Sequence, residues 1–290
     1  MGENNWIIEL TEFTDPYCTW CWASEPILRK IKEHYGDQVK ISFKMGGLVE
    51  DIDTFYDPSN QIGGESMFDQ VADHWEEASS RHGMPVDADI FRENKGKFRS
   101  TYPANIAYKA AQLQDPVLAD KFLRRLREAA AAEKIHIHDI EIQASLAKEV
   151  GLDPEKFIES IENGQPKKDF LEELKEVRSQ GISGFPTFKI SNRKGEKMIL
   201  YGFRQFKRLE AAIKNLSKNN LKKLEISLND ENILNFIKKY KKVASQEVAA
   251  LFEVNRTQAT ELLQKLEQTK LINSIKTGND YFWEINPRSK

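Results

Sequence analysis

The chain has 290 residues, 40% hydrophobic and 30% charged, with a formal net charge of −2. Its length favours two domains with ample apolar residues for a core, and the mix excludes a disordered, collagen-like or membrane-spanning chain. Charge is uneven: residues 218–290 carry 13 Lys and Arg against 9 Asp and Glu, the rest 30 against 36, so a small basic module sits on an acidic body and the whole is no general nucleic-acid or membrane-surface binder.

At the amino end, Met1-Gly2-Glu3-Asn4-Asn5 has no basic n-region, and the apolar run from Trp6 is too short for a signal-peptide core. Trp6 also stands where a myristoylation context has Ser or Thr. No run approaches the roughly 20 apolar residues of a membrane-spanning helix. A cytoplasmic location, with no membrane partner, is the expectation. Residues 6–13 predict a buried strand ended by Asp15-Pro16. A helix is expected from Cys18 to about Tyr35, with Ile27, Leu28 and Ile31 on one side, a kink at Pro26 and a stop at Gly36. Residues 39–45 alternate as a second strand, which makes a parallel crossover unit.

From about Asp51 to Gln180 the pattern is helical throughout, with amphipathic stretches at 106–113, 121–132 and 140–150 and a further start at Asp153-Pro154. Strands return at 187–190 and 197–201 as an antiparallel pair, and a helix over 205–216 closes a first domain of residues 1–217. Asn219-Asn220 read as a linker. Residues 222–290 then predict helices over 231–240, 245–252 and 256–269, with Ser245 and Asn255 as N-caps, and a hairpin of 271–275 with 281–285. The expected fold is α/β, a split sheet with a large helical insert at about 51–180, followed by a winged helix-turn-helix.

The two cysteines are Cys18 and Cys21. The loop they close is too small to stabilise a fold, and in a reducing compartment such a pair is catalytic or metal-binding. Zinc needs a second ligand pair; there is no further cysteine, and His136 and His138 lie far away in sequence, so neither a metal nor another cofactor is expected. At a helix start the first sulfur meets free backbone amides that favour its anion, and the second lies about one turn along. Cys18 would be the nucleophile and Cys21 the resolving thiol, with Thr19 and Trp20 tuning the couple; inert burial is the bland alternative.

The strand–C-x-x-C–helix start, the late Gly184-Phe185-Pro186-Thr187 and the long insert together resemble thioredoxin-fold proteins of the DsbA group over residues 6 to 216. The resemblance is nearest to the FrnE-like, 2-hydroxychromene-2-carboxylate isomerase-related branch. It implies a thioredoxin fold, exchange with a protein or small-molecule disulfide, and a dithiol reductant such as thioredoxin or glutathione. It implies that Phe185-Pro186 is a cis peptide packed against the cysteines to orient substrate, cis bonds being confined to X–Pro. It implies that Glu12, six residues before Cys18, is a buried acid relaying protons to Cys21; a solvent-facing strand residue is the other reading. Tyr17, Trp20, Trp22 and Phe185 would form an apolar rim for substrate, or Trp22 would be core. Arg99-Ser100-Thr101-Tyr102-Pro103 opens a helix that related segments turn toward the cysteines.

Two departures narrow the resemblance. The Thr-Trp dipeptide is not the Pro-His of the periplasmic oxidase, so a strongly oxidising character does not carry over. The complete cysteine pair disfavours ring isomerisation, because the glutathione-dependent isomerases usually lack one. The segment Asp15-Pro16-Tyr17-Cys18, with Cys21-Trp22-Ala23 and Glu25-Pro26, also resembles the DsbA-like adaptor that presents the transcription factor Spx to the ClpXP protease.

A winged helix offers its third helix to the major groove and its wing to the backbone. Candidate DNA or partner contacts are Arg256, Thr257, Gln258, Thr260 and Lys265 on that helix and Lys276 on the wing. Glu261 and Glu267 oppose phosphate, Lys238-Lys239 and Lys241-Lys242 fall on the first helix instead, and a balance of +4 is thin for phosphate-driven binding. Protein contact is the other reading. The leading expectation is a cytoplasmic disulfide reductase or isomerase; the alternative is a redox-responsive regulator or protease adaptor that binds DNA or a protein through residues 222–290.

Overall fold

The computed structural model describes residues 6–93 and 96–288. The chain opens with β1 (Ile8–Thr14), a one-turn helix α1 (Thr19–Trp22), α2 (Glu25–Tyr35) and β2 (Val39–Met45). An insert follows, with short strands β3 (Tyr56–Asp57) and β4 (Ile62–Gly63), then α3 (Met67–His82), α4 (Asp89–Arg92), α5 (Tyr102–Gln114), α6 (Pro116–Ala132), α7 (Ile140–Glu149), α8 (Pro154–Glu162) and α9 (Gln165–Ser179). β5 (Thr187–Asn192), β6 (Lys197–Tyr201) and α10 (Phe206–Leu216) return to the first sheet. The C-terminal unit comprises α11 (Asp230–Tyr240), β7 (Lys242–Ala244), α12 (Ser245–Phe252), α13 (Arg256–Gln268), β8 (Ile272–Thr277) and β9 (Asp280–Ile285). Among the described residues no helix is long and apolar enough to cross a membrane.

The first sheet has the order β2-β1-β5-β6, with β1 parallel to β2 and antiparallel to β5. β1 is central and covered on both faces, which is why it reads as a nearly continuous buried run rather than an alternating one. One face packs Leu10 and Ile190 against Ile27 and Ile31 of α2 and Ile213 of α10. The other turns toward the insert, whose helices enclose a second core around Phe122, Leu126 and Phe157. This topology brings the carboxyl end of β1, α1 and the loop before β5 to one edge.

Four expectations are corrected. The helix from Cys18 is broken rather than kinked: Pro26 has no N–H to continue a ladder, and it sits in the first turn of α2, where none is needed. The β3–β4 hairpin interrupts a segment whose pattern looked helical throughout. In the C-terminal unit Lys242 begins a strand that adds to β9, so the sheet has the order β7-β9-β8. Ser245 does not cap α12; its hydroxyl accepts the Trp283 indole N–H at 2.9 Å, while Glu247 receives the Ala244 N–H at 2.8 Å.

The C-terminal unit has its own core of Ile237, Val243, Val248, Leu263 and Trp283, yet it lies directly on the first domain. α12 packs along α2, and fully buried Glu247 meets Arg29 of α2 at 2.7 Å and Arg124 of α6 at 3.2 Å. Lys242 reaches Glu128 at 2.5 Å and Glu133 at 2.7 Å. A charge buried this deeply is tolerated only when it is paired, so these contacts specify one seat for the unit.

Candidate functional site

The loop into α1 is fixed from beneath. Buried Asp15 accepts the backbone N–H groups of Tyr17 (2.9 Å) and Leu48 (2.8 Å), the Thr101 hydroxyl (2.7 Å) and the Asn105 amide (2.8 Å). Burial raises its pKa, and these donors work against that. Thr101, from the segment opening α5, thus reaches the loop before the cysteines.

Cys18 caps α1, its sulfur accepting the Cys21 N–H at 3.3 Å and lying 3.5 Å from the Phe185 carbonyl oxygen. The Phe185–Pro186 peptide is cis. The Phe185 ring lies on Gly46, where a Cβ would fall 1.9 Å from the ring tip and displace it. Both cysteines are free thiols; Cys18 is 7% exposed and Cys21 is fully buried. Burial, then the hydrogen bond and charge of Cys18, push the Cys21 thiol far up, so it is neutral at physiological pH. Only a sulfur at the surface can meet an external disulfide, which leaves that encounter to Cys18.

Glu12 is not a solvent-facing strand residue. It is fully buried, one carboxylate oxygen accepting from Arg127 of α6 at 2.7 Å, the other without a hydrogen-bond partner. Burial raises its pKa, and the Arg127 charge opposes the rise. Arg127, itself fully buried, also holds Glu25 at 2.5 Å and the Thr14 hydroxyl. Sequence reasoning missed Arg127. Its signal was a charge on the apolar side of a helix, four residues after buried Leu123 and three before buried Ala130.

The residues between and after the cysteines face a segment also missed. His82 accepts the Met84 N–H at Nδ1 (3.1 Å), which leaves Nε2–H to donate to Thr19 Oγ1 at 3.3 Å. Burial, with a smaller effect from Arg256, pushes the pKa of His82 down to about 4. Trp20 is half-buried between the rings of His82 and Phe203. Trp22 is core, not rim: its indole N–H donates to the Pro85 carbonyl at 2.9 Å, Arg124 lies 4.3 Å above its ring, and Phe282 of β9 meets it edge-on at 6.3 Å.

Tyr17 is buried, its ring against Phe98 and its hydroxyl 3.2 Å from His138 Nδ1. His136 and His138 stand with ring centroids 5.4 Å apart, but no cluster among the described residues could hold a metal ion. Beside Cys18 opens a groove of about 550 Å³, lined by Tyr17, Trp20, Phe55, Phe68, Phe98 and Phe185, with the β3–β4 hairpin as one wall.

The C-terminal candidates are dispersed. Arg256 turns toward the first domain, 3.4 Å from the Gly83 carbonyl oxygen and 3.8 Å from Asp280. Gln258 is used in the cap of α13, accepting the Asn255 N–H at 3.2 Å. Lys265 is exposed late in α13, and Lys276 is exposed above the Tyr281 ring at 4.8 Å. The tip of the hairpin does not project: Asn279 exchanges hydrogen bonds with the Val86 backbone at 3.0 Å in both directions, and its amide donates to Ser79 Oγ at 3.0 Å. The hairpin tip and Arg256 are thus engaged within the chain itself.

A family model described as thioredoxin matches residues 12–211. The chain is 28% identical to a protein of Halalkalibacterium halodurans named ClpXP adapter protein SpxH, over 95% of this chain and 88% of that one; further curated relatives carry the same name. It is similar in fold to the cytosolic disulfide reductase DsbM of Pseudomonas aeruginosa, with a TM-score of 0.54 and 21% identity over 72% of this chain and 95% of the other. It is also similar in fold to a 2-hydroxychromene-2-carboxylate isomerase, with a TM-score of 0.51 and 13% identity over 73% and 97%. The resemblance read from the motifs is therefore sound at the level of fold. The functional expectation drawn from it, a disulfide reductase or isomerase, is overturned: relatives that match nearly the whole chain, C-terminal unit included, are named as protease adapters.

Proposed function

The chain belongs to the thioredoxin family, and on that premise we propose that it is a protease adaptor, which holds a protein partner such as Spx for degradation by ClpXP. The observation that supports this most is the union of the two units. Glu247 is buried between Arg29 and Arg124, and the hairpin tip is seated on residues 79–86, so the thioredoxin domain and the C-terminal unit present one continuous surface. An adaptor needs such a platform. The C-terminal unit, which we take to be a winged helix, serves protein contact in this reading. The cysteine pair is retained as a redox-responsive site inside the adaptor.

The test is reconstituted proteolysis. Purified ClpXP degrading Spx should speed up as the chain is added, saturably, and the Cys18→Ser/Cys21→Ser variant should deliver as well as the wild type under reducing conditions. Absence of both acceleration and binding to either protein refutes the proposal; acceleration lost in the cysteine variant assigns the effect to disulfide chemistry instead.

A further inference from the structure

Three of the four residues of α1 are tied to one segment, and the C-terminal unit is tied to the same segment. Thr19 meets His82, Trp20 packs on the His82 ring, and Trp22 donates to the Pro85 carbonyl. From the other side Arg256 reaches the Gly83 carbonyl, and Asn279 bonds Ser79 and Val86. The approach is close: a Cβ on Gly278 would lie 2.4 Å from the Val86 carbonyl oxygen. Residues 79–86 thus form a strap between the cysteine-bearing turn and the hairpin tip. A second connection runs beneath it. Arg127 links Glu12, under the cysteines, to Glu25; Arg124 stands 3.9 Å from Glu25 and 3.2 Å from Glu247 of α12. A third is direct, since Trp22 follows Cys21 and touches Phe282.

We propose that the C-terminal unit is seated according to the oxidation state of the Cys18–Cys21 pair: the dithiol keeps the seat described above, and the disulfide loosens it. The step is a two-electron exchange with a small-molecule disulfide such as oxidised glutathione. Cys18 gives up its proton and its thiolate attacks one of the reagent's sulfurs, the reagent's S–S bond breaks, and one small thiolate leaves and takes up that proton. Cys21 gives up its proton and attacks Cys18 Sγ, the mixed disulfide breaks, and the second small thiol leaves, protonated. The protein pair is oxidised and the reagent reduced to two thiols. To close that bond the two sulfurs must come to about 2 Å. In the disulfide Cys18 no longer has a thiol proton to donate to the Phe185 carbonyl, and the Cys21 N–H meets a disulfide sulfur in place of a thiol. α1 is one turn long, and Pro26, which has no N–H, interrupts the hydrogen-bond ladder that would otherwise spread the change into α2. The adjustment passes to Thr19, Trp20 and Trp22, and so to the strap.

The coupling is reciprocal. If closing the disulfide weakens the seat, weakening the seat favours the disulfide by the same factor. Two measurements on the full chain test this without the protease, so their failure is separable from failure of the adaptor reading. Hydrogen exchange should quicken about fivefold or more over residues 79–88 and 272–285 when the reduced protein is equilibrated with oxidised glutathione, the low end of what energetic coupling between sites produces. Asn279→Ala, which removes two of the hairpin-tip bonds, should shift the glutathione equilibrium toward the protein disulfide by a similar factor; Arg256→Ala is the second variant, should the first not fold. Identical exchange in the two redox states, an unshifted equilibrium in folded seat variants, or a pair that cannot be oxidised at all overturns the proposal.

Discussion

Arg127→Met separates structural pairing from incidental contact beneath the cysteines. The guanidinium is fully buried and neutralises two carboxylates that are themselves buried, Glu12 at 2.7 Å and Glu25 at 2.5 Å. Glu25 keeps Arg124 at 3.9 Å, but among the described residues Glu12 has no cation other than Arg127 bonded to it. Removing one partner of a buried pair leaves an uncompensated charge and costs about 3–5 kcal/mol. In urea that is a fall in midpoint of about 1 to 2 M. Adding Glu12→Gln, which keeps the shape and removes the orphaned charge, should restore about 1.5 kcal/mol or more. The sign of the pH effect follows from burial. It already raises the Glu12 pKa, and Arg127 restrains that rise. Without the arginine the folded-state pKa climbs further above the unfolded value. A raised acid gains stability as pH falls, so the deficit of Arg127→Met should shrink between pH 8 and 5. Urea titrations followed by tryptophan fluorescence and circular dichroism measure all three. A loss below about 1 kcal/mol, or no recovery with Glu12→Gln, would show that the ion pairs are not what holds this layer together.

Two further predictions concern the strap. His82, pushed down to about 4 from an ordinary value of 6.5, takes up its proton more readily unfolded, so it should cost stability progressively as pH falls through that window, up to about 3 kcal/mol. Asp120, pushed up to about 6 by burial, works the opposite way over part of the same range, so the diagnostic is the difference in pH slope between wild type and His82→Gln; equal slopes would sink it. Gly278→Ala puts a Cβ 2.4 Å from the Val86 carbonyl oxygen at a φ of +54°, and should cost about 1–3 kcal/mol and expose residues 272–285 to exchange, where an unchanged protection pattern would deny the seat.

What the sequence made legible was local. The alternation of residues 39–45 marks a strand with those same bounds, and Pro26 with Gly36 brackets the helix between the cysteines and β2. The β3–β4 hairpin escaped because strands of two residues carry no period, and Tyr56-Asp57 sits in a segment whose neighbours are helical. What surrounds the cysteines was hidden for a different reason. Arg127 lies 115 residues from Glu12, and His82 lies 63 from Thr19, so no spacing rule connects them. Function was misread because a C-x-x-C turn has the same letters whether it turns over substrates or responds within an adaptor. It was the relatives matched over nearly the whole chain, named as protease adapters, that overturned the enzymatic expectation.

The seat of the C-terminal unit also bears on what that unit can meet. DNA recognition by a winged helix needs the third helix and the wing presented together on one open side. Here the start of α13 leans on Gly83 through Arg256, and the hairpin tip is bonded to Ser79 and Val86. Freeing that side requires Glu247 to leave Arg29 and Arg124, stranding buried charges at a cost of several kcal/mol. The outward face left on α13 carries Thr257, Gln258, Glu261, Gln264, Lys265 and Gln268, close to neutral, and gives phosphates little to release counterions against. A protein partner has no such requirement. On the proposed adaptor reading it can rest on both units at once, and the proposed loosening of the seat would then alter the surface it meets.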